Sequence, residues 1–147
     1  MEHSRQWFWN ISVFVALVVL PGQLVIPPLN AYAFDTDHDP VLLIHGFGLT
    51  EDERPESTWD SLSVDLIGEG WEPGGVIGIG LPDSNKSADV YTIRLSSNNC
   101  LTYESQGTEV DSAVVKILNK RTDRSSVILV GFSMGGLSAR AYLQNCD

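Results

Sequence analysis

An α/β domain, a parallel sheet with flanking helices, is the architecture this 147-residue chain predicts, and two observations point to it. Apolar, β-branched runs alternate with stretches whose apolar residues recur at helical spacing, in the order β-α-β-α-β-α. Two of those runs, residues 41–44 and 127–130, end directly in glycine-bearing turns. Strands separated by helices pair in parallel, because each connection must cross over a face of the sheet before the next strand begins.

The chain opens on the polar start Met1-Glu2-His3-Ser4-Arg5, continues through an apolar run over 11–20 broken by Ser12, and reaches the small-x-small tripeptide Ala31-Tyr32-Ala33. This order reads as a secretory signal peptide spanning 1–33 and cleaved after Ala33. Pro21-Gly22-Gln23 interrupts the apolar run well short of the roughly twenty residues a membrane-spanning helix needs, so no stable membrane anchor is expected. The localisation that follows is secreted, periplasmic or extracellular. Residues 34–147 then form the domain, long enough for one modest core and no second one.

Within it, residues 41–44 give a buried strand leading into His45-Gly46-Phe47-Gly48. Ser57 is placed to cap a helix carrying Trp59, Leu62, Leu66 and Ile67 on one face, stopped by Gly68 and Gly70 and packed on the sheet. The glycine- and proline-rich stretch 72–87 reads as a surface insertion, and its Gly78-Ile79-Gly80 lacks the following helix and third glycine of a dinucleotide loop. Residues 90–95 form the next strand. Val110, Ala113, Val114, Ile117 and Leu118 mark a helix with a basic end at Lys116, Lys120 and Arg121.

The last unit is the most informative. The strand 127–130 runs into Gly131-Phe132-Ser133-Met134-Gly135-Gly136, and a helix-compatible stretch over 137–143 follows. A serine between glycines two before and two after it, at a strand-to-helix reversal, is the pattern of a turn too tight for side chains at Gly131 and Gly135. Such a turn exposes the Ser133 hydroxyl as a nucleophile. An acyl-transfer site also needs two N–H donors for the developing oxyanion, one from the residue after the nucleophile and one from the loop after an earlier strand. Met134 and Phe47 occupy those positions, with Gly46 shaping the earlier loop.

The pair Pro-Val-Leu-Leu-Ile-His-Gly-Phe-Gly and Val-Gly-Phe-Ser-Met-Gly-Gly-Leu-Ser-Ala-Arg resembles the secreted lipase and esterase branch of the α/β-hydrolase fold, over roughly 39 to 145. The resemblance implies Ser133 as nucleophile, Met134 and Phe47 as oxyanion-hole amides, and His45-Gly46 as the dipeptide that shapes the hole. Position 132 departs from it, being Phe where many such lipases have His, which leaves esterase or thioesterase chemistry open.

The serine needs a general base, usually a His oriented by Asp or Glu, and in this architecture both follow the nucleophile in the chain. No histidine lies in 134–147. His3 belongs to the leader, His38 precedes the first strand, and His45 reads as a structural hydrogen-bonder in its loop. The His and acid are therefore expected beyond Asp147, in a hydrolase truncated here after the nucleophile helix. This chain alone is expected to be inactive and aggregation-prone, since strand 127–130 would become an uncharged apolar edge. An acyltransferase on the same site, or a non-catalytic secreted binding module on the same fold, are the rival readings.

A formal net charge of −10 argues against nucleic-acid partners and against anionic membrane surfaces, while leaving a neutral small-molecule or lipid ester as substrate. No Cys or His pattern has metal-ligand spacing, and no cofactor is implied. Asn85-Lys86-Ser87 is the remaining glycosylation-type tripeptide, read as an ordinary polar loop. Cys100 follows a strand at the site end of the sheet, and Cys146 ends a helix that carries it about 18 Å from that end. The two are thus expected not to bridge each other.

Overall fold

Strand order β2-β3-β1-β4, all parallel, defines the sheet in the computed structural model of the protein, which describes residues 38–48, 54–81, 87–97 and 101–144. The elements in chain order are β1 (Val41–Ile44), a short 3-10 helix (Pro55–Trp59), α1 (Asp60–Gly68), β2 (Pro73–Gly78), β3 (Val90–Arg94), α2 (Tyr103–Lys120), β4 (Ile128–Gly131) and α3 (Met134–Gln144). The α/β class read from the sequence is the one observed. The leader 1–33, Asn85, Cys100, Cys146 and Asp147 lie outside the described residues. No helix among the described residues is long and apolar enough to cross a membrane.

β1 is buried at every position, as a strand covered on both faces must be. Alternation sends Leu42 and Ile44 to one side, where they join Tyr91, Ile93 and Leu129 in a core closed by α2 and α3 through Val110, Ala113, Val114, Ile117, Ala139 and Tyr142. Val41 and Leu43 face the other side with Trp71 and Val90, covered by Trp59 and Leu66. The register Val41↔Ile128 through Ile44↔Gly131 aligns the ends of β1 and β4, so both turns emerge side by side.

Two readings from the sequence need correction. Residues 73–78 are not part of a surface insertion but an edge strand, β2, whose Ile77 is buried and whose neighbour is β3. Glycine is required at 74 because the Tyr91 ring fills the space a β-carbon would take, and an edge strand tolerates the preceding proline. Ser57 is not a helix cap: Pro55 starts the turn two residues earlier, and Ser57 N–H donates to the Arg54 carbonyl within it. Only Trp59 and Leu66 of that face pack on the sheet, while Leu62 and Ile67 are exposed.

α2 begins at Tyr103, a full turn and more before its apolar pattern, because the Thr102 side chain accepts the Ser105 N–H as an N-cap. Its first half buries Gln106 and Glu109, two polar residues on one face. Gly107 lets α3 come close: a β-carbon there would lie 2.9 Å from Tyr142 N.

Candidate functional site

β4 ends at Gly131 and α3 begins at Met134, leaving Phe132 and Ser133 to make the whole reversal. Ser133 adopts φ 53°, the sole positive value among the described non-glycine residues. That left-handed backbone costs a side-chain-bearing residue on the order of 1–2 kcal/mol, so the fold must hold it there. Hydrogen bonds from Gly135 N–H to Phe132 O (2.9 Å) and from Gly136 N–H to Ser133 O (3.0 Å) do so. The flanking glycines are sterically required: a β-carbon on Gly131 would lie 2.6 Å from Gly136 N, and one on Gly135 would overlap the Ile44 and His45 carbonyl oxygens.

The loop after β1 closes against this turn. Phe132 N–H donates to Ile44 O at 3.0 Å, and a β-carbon placed on Gly46 would stand 3.1 Å from Ser133 Cβ and 3.2 Å from Phe132 O. Gly46, Phe47, Gly131, Ser133, Met134 and Gly135, separated widely in sequence, therefore meet at the C-terminal end of the sheet. The Ser133 hydroxyl and the N–H groups of Phe47 and Met134 have no hydrogen-bond partner among the described residues. The Met134 N–H belongs to the first turn of α3, where the helix dipole adds positive potential. Free N–H groups beside an exposed hydroxyl are what an oxyanion-stabilising site needs.

The chain matches no family model, no curated protein and no solved structure.

The rim is apolar. Phe47 is 54% exposed, Phe132 41% and Leu137 46%, all at or within four residues of the Ser133 turn or its partner loop. Trp59 meets Phe132 edge-on, with ring centroids 6.4 Å apart and planes at 88°. Sequence reasoning missed the ion pair between the buried Glu56 and the partly exposed Arg94 at the end of β3. The Arg94 guanidinium also donates through Nε at 3.1 Å to the same Glu56 oxygen. Burial pushes the Glu56 carboxyl up, but the hydrogen bond and charge of Arg94, its own backbone N–H and the Arg54 side chain together outweigh that, leaving it below the usual carboxylate value.

His45 is fully buried, its Nδ1 2.7 Å from Gly46 O and its Nε2 3.5 Å from Leu95 N. Burial lowers its pKa, outweighing the Gly46 carbonyl and the nearby Glu56. With both ring nitrogens engaged in the loop, His45 has no lone pair facing Ser133. His38 stacks on Trp71 at 3.6 Å, at the opposite end of β1 from Ser133. Among the described residues, no group of three or more His, Cys, Asp or Glu could hold a metal ion.

Two further buried groups escaped the sequence reading. Gln106 joins α2 to α3 by accepting from Ser138 Oγ–H, and its Nε2 approaches Met134 Sδ at 3.6 Å. Glu109 accepts from Ser96 N–H and Oγ–H. Polar residues three apart inside an apolar helix face are the signal that could have marked both.

Proposed function

We propose that the protein is an exported serine hydrolase of the α/β-hydrolase, lipase and esterase type, acting on carboxylic esters with an apolar acyl chain. The observation that carries the reading is the strained, exposed Ser133 with the unpartnered N–H groups of Met134 and Phe47 beside it. Strain of this kind persists only where surrounding structure enforces it, and at a nucleophile turn it holds the hydroxyl clear of its own backbone. The exposed Phe47, Phe132 and Leu137 favour an apolar substrate group at the rim.

In this reading Ser133 Oγ attacks the acyl carbon while its proton passes to a histidine base. The Met134 and Phe47 N–H groups hold the oxyanion. Collapse expels the alcohol, which takes the proton, and water then attacks the acyl-enzyme to release the acid. Neither His38, at the opposite end of β1, nor His45, with both ring nitrogens engaged, is placed to serve as that base, so the base is not among the described residues. Export rests on the leader 1–33.

The test is turnover of p-nitrophenyl esters of increasing acyl length by the full-length secreted protein. The expected result is hydrolysis with kcat/KM rising from acetyl to octanoyl esters. Absence of turnover on all of them overturns the reading, and ester products formed with added methanol in preference to free acid would move it to an acyltransferase.

A further inference from the structure

The side chain of Phe132 is built into the Ser133 turn. Its backbone is fixed from both sides, with the N–H donating to Ile44 O at 3.0 Å and the carbonyl accepting from Gly135 N–H at 2.9 Å. The inner edge of the ring packs on the loop after β1. Phe132 Cδ1 and Ser133 Cβ stand 3.2 and 3.1 Å from one and the same point, the place a β-carbon on Gly46 would take. An aromatic carbon and the carbon that carries the Ser133 hydroxyl therefore flank the same small space.

Behind the ring stands Trp59. The two rings meet edge-on, with 6.4 Å between centroids and 88° between planes, an arrangement favourable for aromatic pairs. Trp59 is seated in turn on Val41, Leu43, Trp71 and Val90, the core on the face of the sheet opposite to α2 and α3. Phe132 cannot swing aside without opening that contact, yet its outer part is exposed. The ring is a fixed apolar wall with one side free, next to the serine.

We propose that Phe132, backed by Trp59, decides which acyl groups reach Ser133, admitting chains unbranched at the carbon next to the carbonyl and turning away those branched there. The inference rests on the serine-hydrolase reading above and names the substrate class of the same site. In the attack described there the acyl carbon bonds to Ser133 Oγ and becomes tetrahedral, which brings the next carbon of the acyl chain within two bonds of that oxygen. A methylene at this place turns its hydrogens to the ring and lets the chain run along the apolar rim. A quaternary carbon carries a methyl group on every side and meets the wall. Branching in the alcohol lies one bond further from the reacting carbon, so the acyl arm feels the ring most. Trp59 touches no substrate in this arrangement and is a positioning residue for the ring.

The test compares p-nitrophenyl butanoate with p-nitrophenyl 2,2-dimethylpropanoate, which share a leaving group and differ in branching at that carbon. The readout is the ratio of their kcat/KM values in the full-length protein. Phe132→Ala is expected to lower the ratio by about tenfold or more through a rise in kcat/KM on the branched ester, a gain that unfolded protein cannot produce. Phe132→Leu, which keeps an apolar side chain on Gly46, is the second variant and should lower it less. Trp59→Leu should move the ratio in the same direction by a smaller factor and add nothing in a Phe132→Ala background, because it works through the ring. A ratio at parent level in both Phe132 variants overturns the proposal, as does a fall that comes only from lost butanoate turnover. A further shift from Trp59→Leu in the Phe132→Ala background overturns the part given to Trp59. A parent that turns over neither ester sinks the hydrolase reading and this inference with it, whereas butanoate turnover with an unmoved ratio sinks the inference alone.

Discussion

At the N-terminal end of the sheet the strand entrances are tied by charge, whereas at the C-terminal end β4 runs into the strained Ser133 turn and β1 into the open loop that packs on it. Arg121, buried at the end of α2, pairs with Asp89 before β3 and with Asp123, and its Nη1 also reaches the Ala88 carbonyl at 3.2 Å. Asp89 accepts the Glu72 N–H ahead of β2 at 2.9 Å, and Asp39 ahead of β1 accepts from Ser126 ahead of β4. At the other end, Ser133 has a positive φ, the Phe47 and Met134 N–H groups lack partners among the described residues, and two phenylalanine rings face solvent. Unfavourable local geometry is thus concentrated at one end of a sheet whose other end is over-determined by ion pairs. Strain of this size needs such a background, since each strained residue costs on the order of 1–3 kcal/mol. Chemistry and stability are expected to separate along the strand axis.

The largest effect should come from the strained end. Ser133→Ala is expected to lower ester turnover by about a millionfold, yet to change unfolding stability by no more than about 0.5 kcal/mol, because the side chain is exposed. Kinetics and urea denaturation on the same preparation check both halves. The opposite pattern is expected at the charged end. Arg121→Met leaves Asp89 without its buried cation and should cost about 3–5 kcal/mol of stability, with kcat/KM per folded molecule unchanged. An Arg121→Met protein as stable as the parent would break the comparison.

A smaller and asymmetric effect is expected at the Glu56–Arg94 pair. Arg94→Met leaves a carboxylate that is 2% exposed with only the longer Arg54 contact at 3.5 Å and should cost about 2–3 kcal/mol, whereas Glu56→Leu frees an arginine that is 42% exposed and can turn to water, costing less. Equal losses would show that the pair acts through packing alone.

The smallest effect is on pH dependence. His45 and Glu56 both titrate below their ordinary values in the folded protein. The unfolded chain therefore takes up a proton first in each case, so stability is fully present above the ordinary pKa and is lost as pH falls. The decline should begin below about pH 6.5 for His45 and steepen below about pH 4.5 for Glu56. Chemical denaturation between pH 8 and pH 4 measures it. The His45 part should vanish in His45→Asn.

The tight strand-to-helix turn at Ser133 was legible in the sequence because its causes are local. Gly131, Ser133 and Gly135 lie within five residues, and the clash that demands each glycine involves the turn itself or the strand beside it. The parallel sheet was legible for a similar reason, since strand and helix periods alternate along the chain. β2 was not. Its residues carry two adjacent glycines and a proline, and what makes them a strand is pairing with β3 in a register that shifts between Pro73 and Gly75. The start of α2 was hidden too, because Gln106 and Glu109 break the apolar pattern and their partners, Ser138 and Ser96, come from other elements. Glu56 and Arg94 stand 38 residues apart and have no local signature. For His45 the bond to Gly46 is a neighbour effect, but the Leu95 contact that fixes its tautomer spans 50 residues.

In the proposed function Ser133 is a nucleophile with an activated hydroxyl. The direct measurement is to treat the full-length secreted protein with a fluorophosphonate and to locate the adduct by tandem mass spectrometry. One stoichiometric phosphonyl group on Ser133, absent from Ser133→Ala, is the expected result. An adduct on another residue, or ester turnover by protein that takes up no probe, would contradict it.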